Sequence, residues 1–363
     1  MSEIGVYVHF PFCKRRCAYC DFFSDTRDAL IPRYVDALCS QIEHRDAVKK
    51  ADSVYFGGGT PSLMDPKSLE KIMNAIGSHF DLTPDCEITL EANPSSADEK
   101  KLAAYRSLGV NRLSLGIQSF DDRELKAVGR LHDSLTARLA IKAARKAGFE
   151  RLSVDLIYGL PYQTMESFMR SLGEAARSGA DHLSCYCLTL RENSPLLGLP
   201  LPDEELQREM YLYCCEYLEK AGFGQYEISN FARPGSYSRH NMKYWTGAEY
   251  AGLGAGAHGF EKGERYMIPE DLPGYIADPS KRTVTEIRDK GAKLEEYLIF
   301  GLRTSAGLDF SRLEALGGGK ALKKLETLLP LWEKAGLAKI NEKAFSLTPQ
   351  GFFVSNSVIA ELI

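Results

Sequence analysis

The chain has 363 residues, 44% of them hydrophobic and 26% charged, with a formal net charge of −4. That length accommodates one large α/β domain and a smaller second one, and the composition is that of an ordinary globular protein. The acidic balance argues against a general phosphate-backbone binder, and no uninterrupted apolar run approaches the roughly 20 residues of a membrane-spanning helix. The opening Met1-Ser2-Glu3-Ile4-Gly5 lacks the basic-then-apolar layout of a secretory signal, so a cytoplasmic location is expected. Nine cysteines cannot all pair with one another, and in a reducing compartment they read as buried thiols or metal ligands. Six of them (Cys39, Cys86, Cys185, Cys187, Cys214 and Cys215) are scattered or lie in apolar contexts and read as core filler.

From the N-terminus to about residue 230, short apolar runs alternate with amphipathic stretches. Strands are predicted at Ile4–Phe10, Ser53–Phe56, Glu87–Ala92, Arg112–Ile117, Arg151–Tyr158 and His182–Leu188. Between and after them come helical patterns near Pro32–Val48, Pro66–Ser78, Ala97–Leu108, Ser134–Ala147, Met165–Arg177 and Asp203–Ala221. Strand then helix, repeated six times, predicts βαβ units and a parallel sheet. Chemistry-bearing residues recur just after successive strands, which favours a partial (β/α)6 barrel with its site on the C-terminal face.

The pattern changes near residue 230. Residues 231–283 are rich in Gly, Tyr and Pro, with few helical periods, and read as a connecting segment between a core barrel over 1–230 and a module over 284–363. That module holds helical Leu294–Leu302, Leu313–Leu316 and Leu322–Ala335, two β-like runs at Leu337–Ile340 and Ala344–Leu347, and a last helix from Pro349. Three helices and a hairpin suggest a winged-helix-like α+β fold. Its 13 Lys and Arg against 10 Asp and Glu over 281–363 are a modest excess, and Lys320, Lys323 and Lys324 are the residues a DNA-binding role would need. A scaffold or docking role is the expectation, with no nucleic acid bound.

The first chemical signal is Cys13-Lys14-Arg15-Arg16-Cys17-Ala18-Tyr19-Cys20. On a helix these offsets would share one face and read as a buried stripe. Here the segment follows a strand and Pro11, and three cations fill the gap, where positive charge favours the thiolate that ligates iron. Ordinary iron–sulfur clusters take four cysteines, and the next one, Cys39, sits inside a predicted helix. Three ligands leave one metal position open. Gly57-Gly58-Gly59-Thr60-Pro61 follows the second strand and is either a tight turn or a loop that approaches a ligand closely. It is not a phosphate loop of the usual patterns. Glu91 ends the third strand, as a ribose-binding carboxylate or as a surface one. Gln118, Arg130 and Asp155 follow in the same topological manner, each mundane alone.

Cys-x3-Cys-x2-Cys after a first strand resembles the signature of the radical S-adenosylmethionine superfamily. The resemblance implies a 4Fe-4S cluster on Cys13, Cys17 and Cys20, whose fourth iron is chelated by the amino and carboxylate groups of S-adenosyl-L-methionine. Tyr7-Val8-His9-Phe10-Pro11-Phe12-Cys13, Phe56-Gly57-Gly58-Gly59-Thr60-Pro61, Ser114-Leu115-Gly116-Ile117-Gln118-Ser119-Phe120 and Asp155-Leu156-Ile157-Tyr158-Gly159-Leu160-Pro161 resemble, over nearly the whole chain, the oxygen-independent coproporphyrinogen oxidase family and its HemW branch. By that resemblance Tyr7, Gly58, Gly59, Thr60, Glu91, Gln118, Arg130 and Asp155 contact S-adenosylmethionine.

Three features separate the branches. The oxidase pattern has another Cys two residues past the third ligand, where this chain has Phe22. His240-Asn241-Met242-Lys243-Tyr244-Trp245 resembles the His-Asn-x-x-Tyr-Trp motif of HemW, and the chain starts almost at its first strand, without the oxidase's longer extension. The resemblance therefore implies a haem chaperone that passes haem to acceptor haemoproteins, respiratory and membrane-associated, with a flavodoxin or ferredoxin as electron donor. The rival is an enzyme, oxidative decarboxylation of coproporphyrinogen III to protoporphyrinogen IX. His240 is the candidate haem ligand, with Tyr244 and Trp245 as flat surface and Arg239 for a propionate. A packed loop with a hydrogen-bonded His is the alternative, and Cys185 or Cys187 a less favoured ligand.

Overall fold

A computed structural model of the chain describes residues 3–45 and 49–363. The last three residues of the stretch predicted as helical to Val48 lie outside the described residues. In chain order the first two-thirds contain β1 (Ile4–Phe10), α1 (Ile31–Glu43), β2 (Lys49–Gly58), α2 (Pro66–His79), β3 (Phe80–Ala92), α3 (Glu99–Ser107), β4 (Arg112–Gln118), α4 (Asp122–Ala127), α5 (Ser134–Lys146), β5 (Arg151–Tyr158), α6 (Met165–Arg177), β6 (His182–Cys187) and α7 (Glu204–Lys220). Helix starts follow side-chain caps: Asp65, Asp98, Asp133 and Asp203 accept backbone N–H groups, and Thr164 with Ser167 forms a capping box.

β1 to β6 pair in chain order, every pair parallel, which is the predicted partial (β/α)6 barrel. Side chains alternate across a strand, so each strand has two faces. One face is apolar and buried under the helices: Val6, Val8 and Phe10 on β1, Leu113, Leu115 and Ile117 on β4, Leu152, Val154 and Leu156 on β5. The other face carries Tyr55, Glu91, Arg112, Ser114, Asp155 and Ser184 and lines a cavity. Parallel strands covered on both faces are usually apolar throughout. Here the inner face is polar, so the barrel is a vessel instead of a filled core.

Residues 231–283, read from the sequence as a connecting segment, instead continue the sheet. After β7 (Gly224–Gln225) and β8 (Asn230–Ala232) come α8 (Arg239–Thr246), β9 (Tyr250–Leu253), β10 (His258–Glu261), β11 (Glu264–Met267), α9 (Leu272–Ala277) and β12 (Thr283–Ile287). β9 lies parallel to β1, and β10 to β12 extend that edge antiparallel. Short strands of four or five residues with frequent Gly carry no long periodicity, which hid them. α8 enters the N-terminal end of the barrel and closes it, with Ser238 as its cap and Gly247 at φ +64 ending it.

The C-terminal part comprises α10 (Lys290–Gly301), β13 (Leu308–Asp309), α11 (Phe310–Ala315), α12 (Gly319–Lys334), β14 (Ala338–Ile340), β15 (Ala344–Leu347), α13 (Pro349–Phe353) and α14 (Ser355–Leu362). β13, β15 and β14 form a small antiparallel sheet, the winged-helix-like arrangement expected. It is tied to the core through Glu296, whose carboxylate accepts from Arg265 Nε at 2.9 Å and pairs with Arg288 Nε at 2.6 Å. Among the described residues no helix is long and apolar enough to cross a membrane.

Candidate functional site

The cavity inside the barrel has a volume of about 470 Å3 and opens at the C-terminal ends of the strands. Its mouth is built by the chain between β1 and α1. Backbone bonds from Cys13 N to Asp25 O (2.9 Å) and Asp25 N to Pro11 O (2.6 Å) pinch this loop at its base, and Ala18 N to Val128 O (3.2 Å) anchors its middle. All three predicted ligands, Cys13, Cys17 and Cys20, line the cavity as free, half-buried thiols. Among the described residues no three His, Cys, Asp or Glu side chains converge on a point that would suit a single ion. A cube that binds each thiolate at a different iron asks for separated thiols facing one space, and this loop supplies them.

The electrostatics of the thiols differ from the sequence expectation. Lys14, Arg15 and Arg16 are exposed, and burial pushes the Cys13 and Cys20 thiols above their ordinary value, with Thr60 bonding to Cys13 Sγ at 3.4 Å as the main opposing influence on Cys13. The nearest cation is Arg130. Its guanidinium donates toward Cys17 Sγ at 3.7 Å and Tyr19 Oη at 3.5 Å and to the Gly116 carbonyl, while its buried Nε has no partner. A buried guanidinium with an unused donor at a thiol site suits sulfur ligands that become anionic on binding metal.

The glycine-rich loop after β2 is pressed against the base of the cysteine loop. Gly59 N bonds Phe10 O at 2.9 Å and Thr60 N bonds Phe12 O at 2.8 Å. A Cβ on Gly59 would stand 2.7 Å from the Phe12 carbonyl oxygen, and Gly58 adopts φ +106, a conformation open to glycine. The close approach is to the segment that ends in Cys13, whereas the sequence reading had a ligand in that place.

Below the mouth, Glu91 accepts a hydrogen bond from Tyr55 Oη at 2.8 Å, and its carboxyl is pushed up to about 7, chiefly by burial and further by Asp155. Asp155 accepts from Ser114 (2.8 Å), Ser153 (3.0 Å) and Ser184 (2.7 Å), and burial raises it despite these three hydroxyls. Gln118 sits at φ +70 where the β4–β5 register shifts, a strained backbone position for a side chain at a cavity wall. Gly58, Gly59, Thr60, Glu91, Gln118, Arg130 and Asp155 thus share one cavity with the three cysteines. Tyr7 does not line it. Its ring stacks on Tyr55 at 6.2 Å, and its hydroxyl meets His9 Nδ1 at 3.0 Å behind the wall.

His240 is where the structure departs most from the sequence reading. It is fully buried on α8, its Nδ1 meeting Ser53 Oγ and its Nε2 meeting Tyr244 Oη, both at 3.0 Å. Burial, with Lys243 and Arg112 nearby, pushes its imidazole down to about 3. With both nitrogens engaged, it offers no lone pair to a haem iron. Trp245 packs edge-on against Phe300 of α10, and Arg239 is bound to Asp85 at 3.0 Å, so neither presents the flat face or the free guanidinium expected. The motif floors the vessel instead, with Asn241 reaching the cavity.

Residues the sequence reading passed over complete the wall. Arg112 is buried with its Nη2 unpartnered, and Tyr55, Ser114 and Tyr186 face the same space; Cys187, expected as core filler, is exposed there instead because it ends β6 at the cavity wall. Polar alternation within β3, β4 and β5 (Glu87, Thr89, Glu91; Arg112, Ser114; Ser153, Asp155) was the available signal.

A model of the radical SAM superfamily matches residues 7–175, and a model of the HemN C-terminal domain matches 289–354. The heme chaperone HemW of Synechocystis sp. is 35% identical, over 100% of this chain and 97% of its own length. The mitochondrial radical S-adenosyl methionine domain-containing protein 1 of Bos taurus is 37% identical over 93% of this chain and 79% of its own. Among solved structures, coproporphyrinogen III oxidase (HemN) from Escherichia coli superposes with a TM-score of 0.85, covering 99% of this chain and 90% of that one; at 24% identity the likeness is one of fold.

Proposed function

This chain belongs to the HemW family of the radical SAM superfamily, and from that premise we propose that it is a haem chaperone whose barrel holds a 4Fe-4S cluster and S-adenosylmethionine. One observation carries the reading: three thiols, a guanidinium and the half-buried carboxylates of Glu91 and Asp155 face a single cavity at the C-terminal end of a parallel barrel. Cys13, Cys17 and Cys20 hold the cluster, which supplies an open iron for the amino and carboxylate groups of the methionine moiety. Gly58, Gly59 and Thr60 present backbone to that moiety beside Cys13. Glu91, released from its proton, accepts from the ribose hydroxyls, as acidic residues do at dinucleotide sites. Asp155 and Gln118 add acceptor and donor along the same wall, and Arg130 bears on the cluster side. Tyr7 acts behind Tyr55, setting the wall and making no contact itself.

Haem is the cargo, passed to acceptor haemoproteins, respiratory enzymes at a membrane face among them, with a flavodoxin or ferredoxin supplying electrons to the cluster. A cytoplasmic setting accords with nine cysteines that are all unpaired. The test is an anaerobic one on reconstituted protein. Haem uptake, followed by transfer to an apo-haemoprotein, is the expected result. Conversion of coproporphyrinogen III to protoporphyrinogen under reductant and S-adenosylmethionine would overturn the chaperone reading.

A further inference from the structure

If haem is cargo, it needs a seat: the barrel cavity is the one given to the cluster and S-adenosylmethionine, and both ring nitrogens of His240 are engaged. A second cleft of about 350 Å3 lies beside the first, between β1, the edge strands β9 and β10, and the chain just past Cys20. The two share Asp21 and Phe22. Rings wall the second cleft: Phe22, Phe23, Tyr244 and Tyr250 among them. Phe22 is 63% exposed, an unusual position for a phenylalanine. Phe23 packs on Gly256, where a Cβ would stand 2.9 Å from its ring, so the cleft's back wall is closely fitted.

Two imidazoles face this space. His9 is spent, with Nδ1 bonded to Tyr7 Oη and Nε2 to the Phe23 carbonyl at 2.9 Å. His258, the first residue of β10, is exposed, and its ring makes no hydrogen bond among the described residues. Glu270 lines the same cleft, and the cleft's other carboxylate, Asp21, is paired with Arg191 at 2.6 Å.

We propose that this cleft is the haem seat: His258 ligates the iron, Glu270 takes the ring's second N–H, and Phe22 stacks on the macrocycle beside the cluster loop. The inference rests on the haem-chaperone reading and adds the site to it. Imidazole is the common protein ligand of haem iron, a carboxylate behind a ligating imidazole fixes its orientation, and an aromatic plane suits a macrocycle. Phe22 stands where the oxidase pattern carries a cysteine, so this surface belongs to the chain's own branch.

The experiment titrates haemin and iron-free protoporphyrin IX into reconstituted protein saturated with S-adenosylmethionine, for wild type, His258→Ala and Phe22→Ala. His258→Ala is expected to move the Soret band and weaken haemin at least tenfold while leaving protoporphyrin affinity unchanged. Phe22→Ala is expected to weaken both several-fold at an unshifted haemin Soret position. Iron content equal to wild type in both variants shows that the cluster loop is intact, and both side chains are exposed, so folding is not at stake. A wild type that binds haemin with a His258→Ala variant of identical spectrum and affinity overturns the seat and spares the chaperone reading. A wild type that binds no haemin overturns both.

Discussion

Glu91 gives the sharpest handle on the barrel site. Its carboxyl stands near 7 in the ligand-free protein because burial outweighs the Tyr55 hydrogen bond. Ribose hydroxyls donate more strongly to the ionised form, so S-adenosylmethionine draws the proton off and binds more tightly as pH rises toward and past 7. With a free-state value of about 7, ionisation rises roughly tenfold between pH 6 and 8, and affinity with it. The ligand's own amino group must also lose a proton to reach iron, which gives the same sign, so wild type alone is not diagnostic. The comparison with Glu91→Gln is. At pH 8 the variant loses a hydrogen bond to a charged acceptor, about 1.5–3 kcal/mol, or roughly tenfold or more in Kd. Its pH 6 to pH 8 ratio should then be smaller than that of wild type by about the tenfold that Glu91 supplied. The folded ligand-free protein should show the mirror effect. A raised carboxyl favours the folded state at low pH, so wild type loses stability relative to the variant as pH climbs from about 4.5 through 7, by about 3 kcal/mol at most. Anaerobic titration calorimetry and urea denaturation measure the two. An identical pH ratio in both proteins would refute the assignment of Glu91 to the ribose.

Gly59→Ala should displace the Phe12 carbonyl and carry Cys13 with it. We expect a loss of about 1–3 kcal/mol and fewer irons retained per chain, whereas Gly77→Ala on α2, with open space around its Cβ position, should stabilise by about 0.5–1 kcal/mol. Thermal melts and iron analysis separate the two. His240→Ala empties a buried position and strands the Ser53 and Tyr244 hydroxyls, costing about 2–4 kcal/mol in denaturation, yet should leave the haemin Soret position unchanged. Glu296→Ala leaves Arg265 and Arg288 without their buried carboxylate where the C-terminal module meets the core; a loss of about 3–5 kcal/mol is expected, and one below about 1 kcal/mol would show that the pair is not coupled to folding.

What was legible in the sequence follows period and punctuation. β1, β5 and α6 have the predicted bounds, and the amphipathic pattern placed α2 and α7 to within a residue or two. The cysteine spacing pointed to one loop after a strand, and the structure brings Cys13, Cys17 and Cys20 together at the mouth of the cavity, although the neighbouring cations face solvent. β9 to β11 were not legible: four residues are too few for a period, β9 pairs with the distant β1, and the hairpin of β10 and β11, turned at Lys262 and Gly263, was passed over. α4, at six residues, is too short for a period. His240 failed for a different reason. Its motif is a compact cluster of His, Tyr and Trp whose composition fits a haem pocket and a plug equally well, and only the positions of Ser53 and Glu87 decide. Glu87 Oε1 accepts the His240 backbone N–H at 3.1 Å, which locks α8 into the barrel's floor.

The floor explains the site's division of labour. A barrel whose strands point Ser, Glu, Asp and Arg inward forgoes the apolar core that ordinarily fills such a fold, and it must be sealed at one end or water would run through it. α8 seals it with satisfied polar groups: His240 between two hydroxyls, and Lys243 paired to Asp52 at 2.7 Å and bonded to the Glu3 carbonyl at 3.1 Å. Sealed below and rimmed by the cluster loop above, the vessel encloses about 470 Å3, the space that its cysteines and polar wall give to the cluster and S-adenosylmethionine. With the cluster and S-adenosylmethionine in that space, a haem handled by the same protein needs a seat outside it yet within reach of the rim. The cleft that shares Phe22 and Asp21 with the main cavity meets both conditions, and the one imidazole there with free nitrogens is His258. Phe22, which lines both spaces, would then link the cluster site to the cargo site, as a chaperone needs if the state of its cluster is to govern what it carries.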